Sequence, residues 1–223
     1  MAVGKEKLPL RIRLSSIEPR EVVPDLVRMA ASEEWLCRHF HIPLQSGDNG
    51  ILKRMNRNYT SEEYARLVEA IHRQIPMAAI GVDIMAGFPG EGEGAYRNTY
   101  DLVRDLPVSY FHVFPFSPRK GTAAWDFEGR VDEREIKKRA EGLRLLGQKK
   151  RESFYRSCVG HTFQVLAEGL DRPETGMIKG LSDNYLPVLF PFPREIRNEL
   201  LPVRIDRIEP VHGTGCKVYG NTL

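Results

Sequence analysis

The residues best suited to chemistry are polar side chains that interrupt or follow short apolar segments. Asp83 lies within an otherwise apolar run, Ala78–Ala86. An ionised carboxylate that is buried without a partner is costly, so this side chain should face a cavity or meet a hydrogen-bond donor. Two uses stay open: a carboxylate that binds a ribose or amine group of a ligand, and a structural partner for an arginine.

A second polar group follows the apolar segment His39–Leu44, where Gln45, Ser46 and Gly47 end the run. In parallel α/β folds, ligands bind just beyond the carboxyl ends of the strands. The amide of Gln45 can both donate to and accept from sugar hydroxyls. A simple turn would also explain the serine and the glycine.

Cys37, His39 and His41 alternate in the sequence and would share one face of a strand. Cysteine and histidine side chains on one face can bind zinc. A fourth ligand is not evident, so the sequence favours a face that points into a core or cleft. With Cys158 and Cys216 the chain has three scattered cysteines and no CxxC motif, a usage typical of a reducing compartment.

Two loops rich in glycine and proline follow apolar segments. Gly87-Phe88-Pro89-Gly90-Glu91 permits close backbone approach to a ligand but lacks the glycine spacing and lysine of a phosphate-binding P-loop. In the second loop, Ser117–Thr122, the adjacent cations Arg119 and Lys120 could contact phosphates. A solvated loop is the simpler interpretation of those two cations.

The elements that must position these residues change in character near residue 156. Before that point apolar segments alternate with amphipathic helices, which predicts βα units around a parallel sheet. The predicted strands are Leu10–Ser15, His39–Leu44, Ala78–Ala86 and Tyr110–Phe116. The predicted helices cover about Val22–Ala31, a segment capped by Thr60 with Glu63, Tyr96–Leu106 and about Asp132–Arg156.

After Val159-Gly160 the helical pattern ends, and five short segments separated by turn residues predict a small, antiparallel all-β barrel. These segments are Thr162–Glu168, Met177–Leu181, Tyr185–Phe190, Leu200–Ile208 and Lys217–Tyr219. We therefore predict two domains, residues 1–156 and 157–223. Four βα units fall short of the eight in a closed barrel, so the first domain should be completed by a missing N-terminal part or by a partner.

The last predicted helix is strongly basic. From Arg134 to Arg156 the chain has nine Lys/Arg residues against three Glu, whereas residues 158–223 have seven Lys/Arg against eight Asp/Glu. Such a helix, with Lys149, Lys150 and Arg151 in sequence, can bind a polyanion electrostatically. A solvated helix face is the alternative.

The overall composition is that of an ordinary globular protein, with 41% hydrophobic and 28% charged residues. No run approaches the ~18 apolar residues of a membrane span, so no membrane association is predicted. The N-terminal segment has no apolar stretch typical of a secretory signal, which predicts a cytoplasmic protein.

Several of these motifs, in this order, resemble the MiaB/MtaB group of radical S-adenosylmethionine methylthiotransferases. The matching stretches are RIRLSSIEP (Arg11–Pro19), CRHFHIPLQSGDNGILKRMNRNYTSEEY (Cys37–Tyr64), VDIMAGFPGE (Val82–Glu91) and HVFPFSPRKGTAA (His112–Ala124). Near the C-terminus, VLAEG (Val165–Gly169) and GLSDNYLPVLF (Gly180–Phe190) resemble the TRAM domain, an RNA-binding β-barrel.

The resemblance implies an α/β fold: the C-terminal part of a radical S-adenosylmethionine (β/α) partial barrel, followed by an OB-like TRAM barrel. The wording of the motifs is closest to the MtaB branch, which adds a methylthio group to C2 of N6-threonylcarbamoyladenosine 37 in the anticodon loop of tRNA. The branch that modifies a ribosomal-protein aspartate is an alternative, as is a non-catalytic RNA-binding remnant. The implied partners are tRNA and a missing N-terminal half, if that half is encoded separately.

The family uses S-adenosylmethionine and [4Fe–4S] clusters held by cysteines, including a CxxxCxxC motif that this chain lacks. We therefore expect the chain to be inactive alone. The residues that the resemblance assigns to the S-adenosylmethionine site are Gln45, Ser46, Arg57, Asp83, Gly87 and Pro89. Those expected to contact RNA are Arg119, Lys120, Lys149, Lys150 and Arg151.

Overall fold

A computed structural model of the chain describes residues 10–211 and 215–223. Residues 1–9, with which the first predicted domain begins, lie outside this range. The described α-helices are α1 (Pro24–Ser32), α2 (Asn49–Arg54), α3 (Ser61–Gln74), α4 (Glu93–Asp105) and α5 (Glu133–Ser157). The strands are β1 (His39–His41), β2 (Ala79–Ala86), β3 (Tyr110–Pro115), β4 (Thr162–Leu170), β5 (Met177–Ser182), β6 (Pro187–Pro191), β7 (Leu200–Val211) and β8 (Gly215–Thr222).

Strands β1, β2 and β3 form a parallel sheet in that order, in which His41 pairs with Gly81 and Asp83 pairs with His112. The predicted strand Leu10–Ser15 is wrong. Only Ile12 makes an isolated bridge, to Leu36, and Ser16 takes a positive φ of 51° that turns the chain away. A strand that pairs at one residue cannot extend the sheet, so the described residues contain three parallel strands rather than four.

Alternation along the strands separates an apolar face from a polar one. The apolar face packs into the core beneath the helices; its members include Phe40, Ile42, Ile80, Val82, Ile84 and Phe111. The opposite face, which we call the polar face, carries His39, His41, Asp83, Tyr110 and His112.

Helix α3 shows how local sequence fixes the layer that covers the apolar face. The Thr60 hydroxyl accepts from the Glu63 N–H at 3.2 Å, and a Glu63 carboxylate oxygen accepts from the Thr60 N–H at 2.9 Å. This confirms the predicted capping box, which satisfies two N–H groups at the start of the helix. The helix then buries Tyr64, Val68 and Ile71 in the core.

The five C-terminal strands close into a barrel in the order β4-β5-β6-β8-β7. Four of the neighbouring pairs are antiparallel, and β6 pairs with β8 in parallel through Leu189 and Tyr219. A closed ring with an odd number of strands cannot alternate in direction throughout, so one pair has to be parallel. The prediction of a purely antiparallel barrel is corrected at this pair.

Among the residues that the structure covers, no helix has both the length and the apolar character required to cross a membrane.

Candidate functional site

A cavity of about 710 Å³ opens between the polar face of the sheet, the C-terminal part of α5 and the barrel. We call it the central cavity. Residues from these three regions and from the N-terminal segment before α1 line it: Arg13, Ser15, Ser16, His41, Asp83, Tyr110, His112, Arg151, Phe154, Tyr155, Lys179 and Tyr185 are among them. A concave space that combines aromatic walls with a few polar groups is the usual form of a ligand site.

Three polar side chains meet at the floor of the central cavity. The His41 Nε2 atom lies 2.9 Å from the Asp83 Oδ1 atom. The side chain of His112 joins them, and the potential ligand atoms of the three residues all lie within 4.8 Å of one another. Burial lowers the pKa of His112, although the Asp83 carboxylate opposes that shift. Asp83 therefore meets a donor, as expected, but the donor is a histidine and not an arginine.

His39 and Tyr110 form a second polar contact on the same face. The His39 Nε2 atom lies 2.8 Å from the Tyr110 hydroxyl, and the His39 ring lies 4.7 Å from the ring of Tyr185 in the barrel. Burial, assisted by electrostatic repulsion from Arg13 and His41, lowers the pKa of His39 to about 4. Burial raises the pKa of Tyr110 to about 12. At neutral pH this contact therefore joins two uncharged groups.

Positive charge lies around the central cavity in residues that the sequence did not single out. The Arg13 guanidinium stacks 4.4 Å above the ring of Tyr185. Lys179 lines the cavity from β5, and its ammonium lies 3.5 Å from the carboxylate of Glu168, which also lines the cavity. These residues are far apart in the chain, so no local spacing could have linked them. The alternation Tyr110-Phe111-His112 was a usable signal for the polar face, because it places two polar rings on one side of a strand.

The residues expected at the cofactor site are only partly brought together. Gln45, with φ at 67°, extends the pairing of β1 with β2: its N–H donates to the carbonyl oxygen of Asp83 at 2.8 Å, and its own carbonyl accepts from the Met85 N–H at 2.9 Å. The backbones of Gln45 and Asp83 are thus neighbours. Gly87 and Pro89 follow at the carboxyl end of β2.

Ser46 and Arg57 make internal contacts instead. The buried Ser46 hydroxyl lies 3.2 Å from the Thr99 hydroxyl on α4, so it fastens the loop to that helix. An Nη atom of Arg57 donates to the Glu18 carboxylate at 3.0 Å. Neither residue lines the central cavity.

The Gly87–Glu91 loop is held from within. Gly87 has a φ of 81°, and a Cβ atom there would lie 2.3 Å from a side-chain carbon of Ile136. Its N–H donates to the Glu91 carboxylate at 2.8 Å, and the Pro89 carbonyl accepts from Arg54 at 3.1 Å. Gly87 also lines a second, smaller cavity of about 320 Å³ together with Ser117, Arg130 and Lys137.

The residues expected to contact RNA fall into three environments. Arg119 and Lys120 are exposed in the loop after β3, and Lys149 is exposed on α5. Lys150 donates to the carbonyl oxygens of Arg104 and Leu106, at 2.8 and 2.5 Å, at the C-terminal end of α4. Arg151 lines the central cavity. Consecutive helix residues point about 100° apart, which explains why neighbouring cations differ so much.

The cysteines do not gather. Cys37 is buried before β1, Cys158 lies in the barrel core and Cys216 is on β8. Within the described part of the chain, the one group of three or more potential metal ligands is His41, Asp83 and His112. Cys37, His39 and His41, the zinc alternative that the sequence disfavoured, do not form such a group: His39 contacts Tyr110, and His41 lines the central cavity. An iron–sulfur cluster needs cysteine thiolates, and the described residues do not fit one.

The sequence is similar to known proteins over most of its length. Residues 2–103 match the family described as "Radical SAM superfamily". This segment is similar to the radical SAM superfamily.

Curated relatives match most of the chain, including residues beyond this segment. The chain is 38% identical over 177 residues to threonylcarbamoyladenosine tRNA methylthiotransferase MtaB of Aquifex aeolicus, covering 79% of this chain and 42% of the relative. It is 36% identical over 209 residues to tRNA-2-methylthio-N(6)-dimethylallyladenosine synthase of Pelotomaculum thermopropionicum, covering 94% of this chain and 47% of the relative. The chain thus spans less than half the length of these relatives.

Among solved structures, the radical SAM enzyme coproporphyrinogen III oxidase from Escherichia coli matches with a TM-score of 0.47 and 16% identity, covering 66% of this chain and 32% of that one. Elp3 from Methanocaldococcus infernus matches with a TM-score of 0.44 and 12% identity, covering 91% of this chain and 63% of that one.

Proposed function

We propose that this chain is the C-terminal part of a radical SAM tRNA methylthiotransferase that modifies N6-threonylcarbamoyladenosine 37. The observation that carries the proposal is the central cavity, to which both the radical SAM segment and the barrel contribute walls. A methylthiotransferase must hold a reactive cofactor and an RNA nucleoside close together. A cavity between a cofactor-binding sheet and an RNA-binding barrel meets that need.

The S-adenosylmethionine site is proposed at the carboxyl edge of the sheet. Gln45 and Asp83 have adjacent backbones there, and Gly87 and Pro89 form the loop beyond β2. An amide and a carboxylate suit ribose hydroxyls and an amino group. Ser46 and Arg57, which we placed in the same site from the resemblance, would support it through the loop contacts with Thr99 and Glu18. The cluster ligands are absent from the described residues, so we assign no catalytic step to this chain alone.

The RNA-binding role is proposed for the barrel, as a TRAM-like domain, together with the cations beside it. Arg13, Arg151 and Lys179 line the central cavity, and Arg119, Lys120 and Lys149 are exposed outside it. Cations arranged around a cavity attract phosphates without selecting a sequence. Base contacts would then fall to the aromatic side chains of the cavity.

A non-catalytic RNA-binding remnant is the second candidate, favoured by Arg13 and Arg151, which line the central cavity and suit RNA phosphates without any cofactor. The two candidates differ in what the loss of the gene does to tRNA. Nucleosides from the tRNA of a deletion strain would be compared with those of the parent strain by mass spectrometry. We expect 2-methylthio-N6-threonylcarbamoyladenosine to be lost and its precursor without the methylthio group to accumulate.

Other outcomes separate the alternatives. If the dimethylallyladenosine nucleoside loses its methylthio group instead, the chain belongs with the tRNA-2-methylthio-N(6)-dimethylallyladenosine synthases. If a ribosomal-protein aspartate is left unmodified, the chain belongs with the protein-modifying branch. Unchanged nucleosides and proteins, with tRNA binding by the purified chain retained, would favour the remnant. Re-expression of the deleted gene serves as the control.

A further inference from the structure

We propose that His41, Asp83 and His112 form a binding site for a divalent transition-metal ion at the floor of the central cavity. Each residue comes from a different strand of the parallel sheet: β1, β2 and β3 in order. The site goes beyond the proposed function, which needs no metal at this position. It shares Asp83 with the proposed S-adenosylmethionine site, so a bound metal ion and that cofactor would compete for the Asp83 carboxylate or divide its two oxygens between them.

The three side chains lie close enough together to bind a single metal ion. His41 Nε2 and Asp83 Oδ1 are 2.9 Å apart, Asp83 pairs directly with His112 across β2 and β3, and all three potential ligand atoms fall within 4.8 Å. In a tetrahedral zinc site with bonds of about 2.0–2.2 Å, ligand atoms lie about 3.3–3.5 Å apart. Small side-chain rotations would bring the three ligand atoms to this spacing, because neither histidine is fully buried and both rings have room to move.

The ligand set also indicates which ions fit. Two imidazoles and one carboxylate suit zinc or iron(II), whereas magnesium and calcium prefer oxygen ligands alone. Three protein ligands facing a cavity leave a position open for water or for a bound substrate, as in catalytic rather than structural zinc sites.

A supporting contact orients His41 for this role. The Tyr110 hydroxyl lies 3.5 Å from His41 Nδ1 and is also held by His39 Nε2 at 2.8 Å. A metal-binding histidine commonly has its second ring nitrogen held by a neighbour, which fixes the orientation of the ring. Here the contact leaves Nε2 directed at Asp83.

The competing explanation is a hydrogen-bonded His41–Asp83 pair that binds nothing. That pair does not involve His112, so substitution of His112 separates the two explanations. His112 is exposed, and His112→Ala should leave the fold intact. The matched control is His72→Ala, which removes an exposed histidine of α3.

The experiment is a zinc titration of the chelator-treated full chain, in competition with a chromophoric chelator, followed by cobalt(II) titration with visible spectroscopy. We expect one zinc ion per chain, and at least tenfold weaker binding in His112→Ala and in Asp83→Asn. His72→Ala and Cys216→Ser should bind as the unaltered chain does. Thermal melts would verify that each variant is folded.

Zinc binding that is absent, not saturable, or equally strong in His112→Ala would overturn the proposal, as would its loss in Cys216→Ser. The titration contains neither tRNA nor S-adenosylmethionine. Its failure would therefore leave the proposed function untouched, and a failure of the tRNA analysis would leave the metal site standing.

Discussion

The side-chain amide of Asn184, in the turn between β5 and β6, donates a hydrogen bond to the carbonyl oxygen of Met77, 3.0 Å away in the turn before β2. Asn184 is fully buried, and its amide oxygen lies 2.5 Å from the Ser182 hydroxyl. A second link is made by Arg11, whose guanidinium donates to the carbonyls of Gln164 and Leu181. These contacts hold the barrel against the sheet and so define one wall of the central cavity.

The first prediction is that Asn184→Ala lowers the free energy of unfolding by about 1–3 kcal/mol, the usual cost of leaving buried polar groups without partners. Asn221→Ala is the matched control, since Asn221 is exposed and, among the described residues, its side chain bonds only to Asp206. The control should change stability by no more than about 0.5 kcal/mol. Urea unfolding measures both variants, and equal effects would refute the role given to Asn184.

The second prediction concerns close packing at the end of β2. Gly87→Ala adds a Cβ atom 2.3 Å from an Ile136 carbon, at a φ of 81°. Gly121→Ala shares the positive φ, at 86°, but its Cβ would meet nothing within 4 Å. The backbone conformation alone costs about 1–2 kcal/mol, so Gly121→Ala should lose about that much stability and Gly87→Ala clearly more. If urea unfolding shows similar losses of stability in the two variants, the Ile136 side chain moves aside at little cost and the prediction is wrong.

The third prediction concerns a buried ion pair behind the Gly87–Glu91 loop. Arg139 donates to the Glu91 carboxylate at 3.0 Å, and both side chains are almost fully buried. Arg139→Leu leaves that carboxylate with the Gly87 N–H but without its cation, and should cost about 3–5 kcal/mol near neutral pH. Arg156→Leu, which removes an exposed pair with Glu152, should cost at most about 1 kcal/mol.

The pH dependence of the Arg139 variant follows from the same pair. Burial raises the pKa of Glu91 above its usual value even though Arg139 opposes the shift, and loss of Arg139 should raise it further. The folded state of the variant then binds more protons than the unfolded state, so stability falls as pH rises above the unfolded pKa of about 4.3. Arg139→Leu should therefore lose less stability near pH 4 than near pH 7. A loss that does not vary with pH would contradict this assignment.

The sequence predicted the elements well wherever the signal was local. The apolar run that became β2, the Thr60–Glu63 capping box and the long basic helix depend on neighbouring residues, and the structure contains each of them. The strand at Leu10–Ser15 failed because alternation cannot tell whether a partner strand continues alongside.

The site was harder to predict because its contacts join distant segments. Ser46 contacts Thr99, 53 residues along the chain, and this contact gives the serine an internal role. Arg13 stacks on Tyr185 from outside the sheet. Such pairs are set by how the sheet, α5 and the barrel pack together, and no motif spacing encodes them. The alternation of His39 and His41 did predict that they share one face of a strand. The two residues proposed to bind a metal ion with His41 lie on the next two strands, where the spacing within β1 gives no information about them.

The last prediction concerns RNA binding and separates three consecutive cations. Lys149 is exposed and Arg151 lines the central cavity. The Lys150 ammonium instead donates hydrogen bonds to two backbone carbonyls, one in the last turn of α4 and one just after it. We expect the chain to bind tRNA with micromolar affinity, on the order of −8 kcal/mol. The double variant Lys149→Glu/Arg151→Glu should weaken binding and reduce the log–log salt slope by about 1.4–1.8, since each lost phosphate contact removes about 0.7–0.9.

Arg66→Glu/Arg73→Glu provides the control for net charge, because it makes the same change at two exposed positions of α3. It should leave the salt slope almost unchanged. Lys150→Met should instead lower the free energy of unfolding by about 0.5–1.5 kcal/mol per hydrogen bond lost, with little effect on the slope. Filter binding over a salt series measures all of these effects. If the Lys149/Arg151 and Arg66/Arg73 variants weaken binding equally, the chain attracts RNA only through its net charge, and α5 is a solvated face.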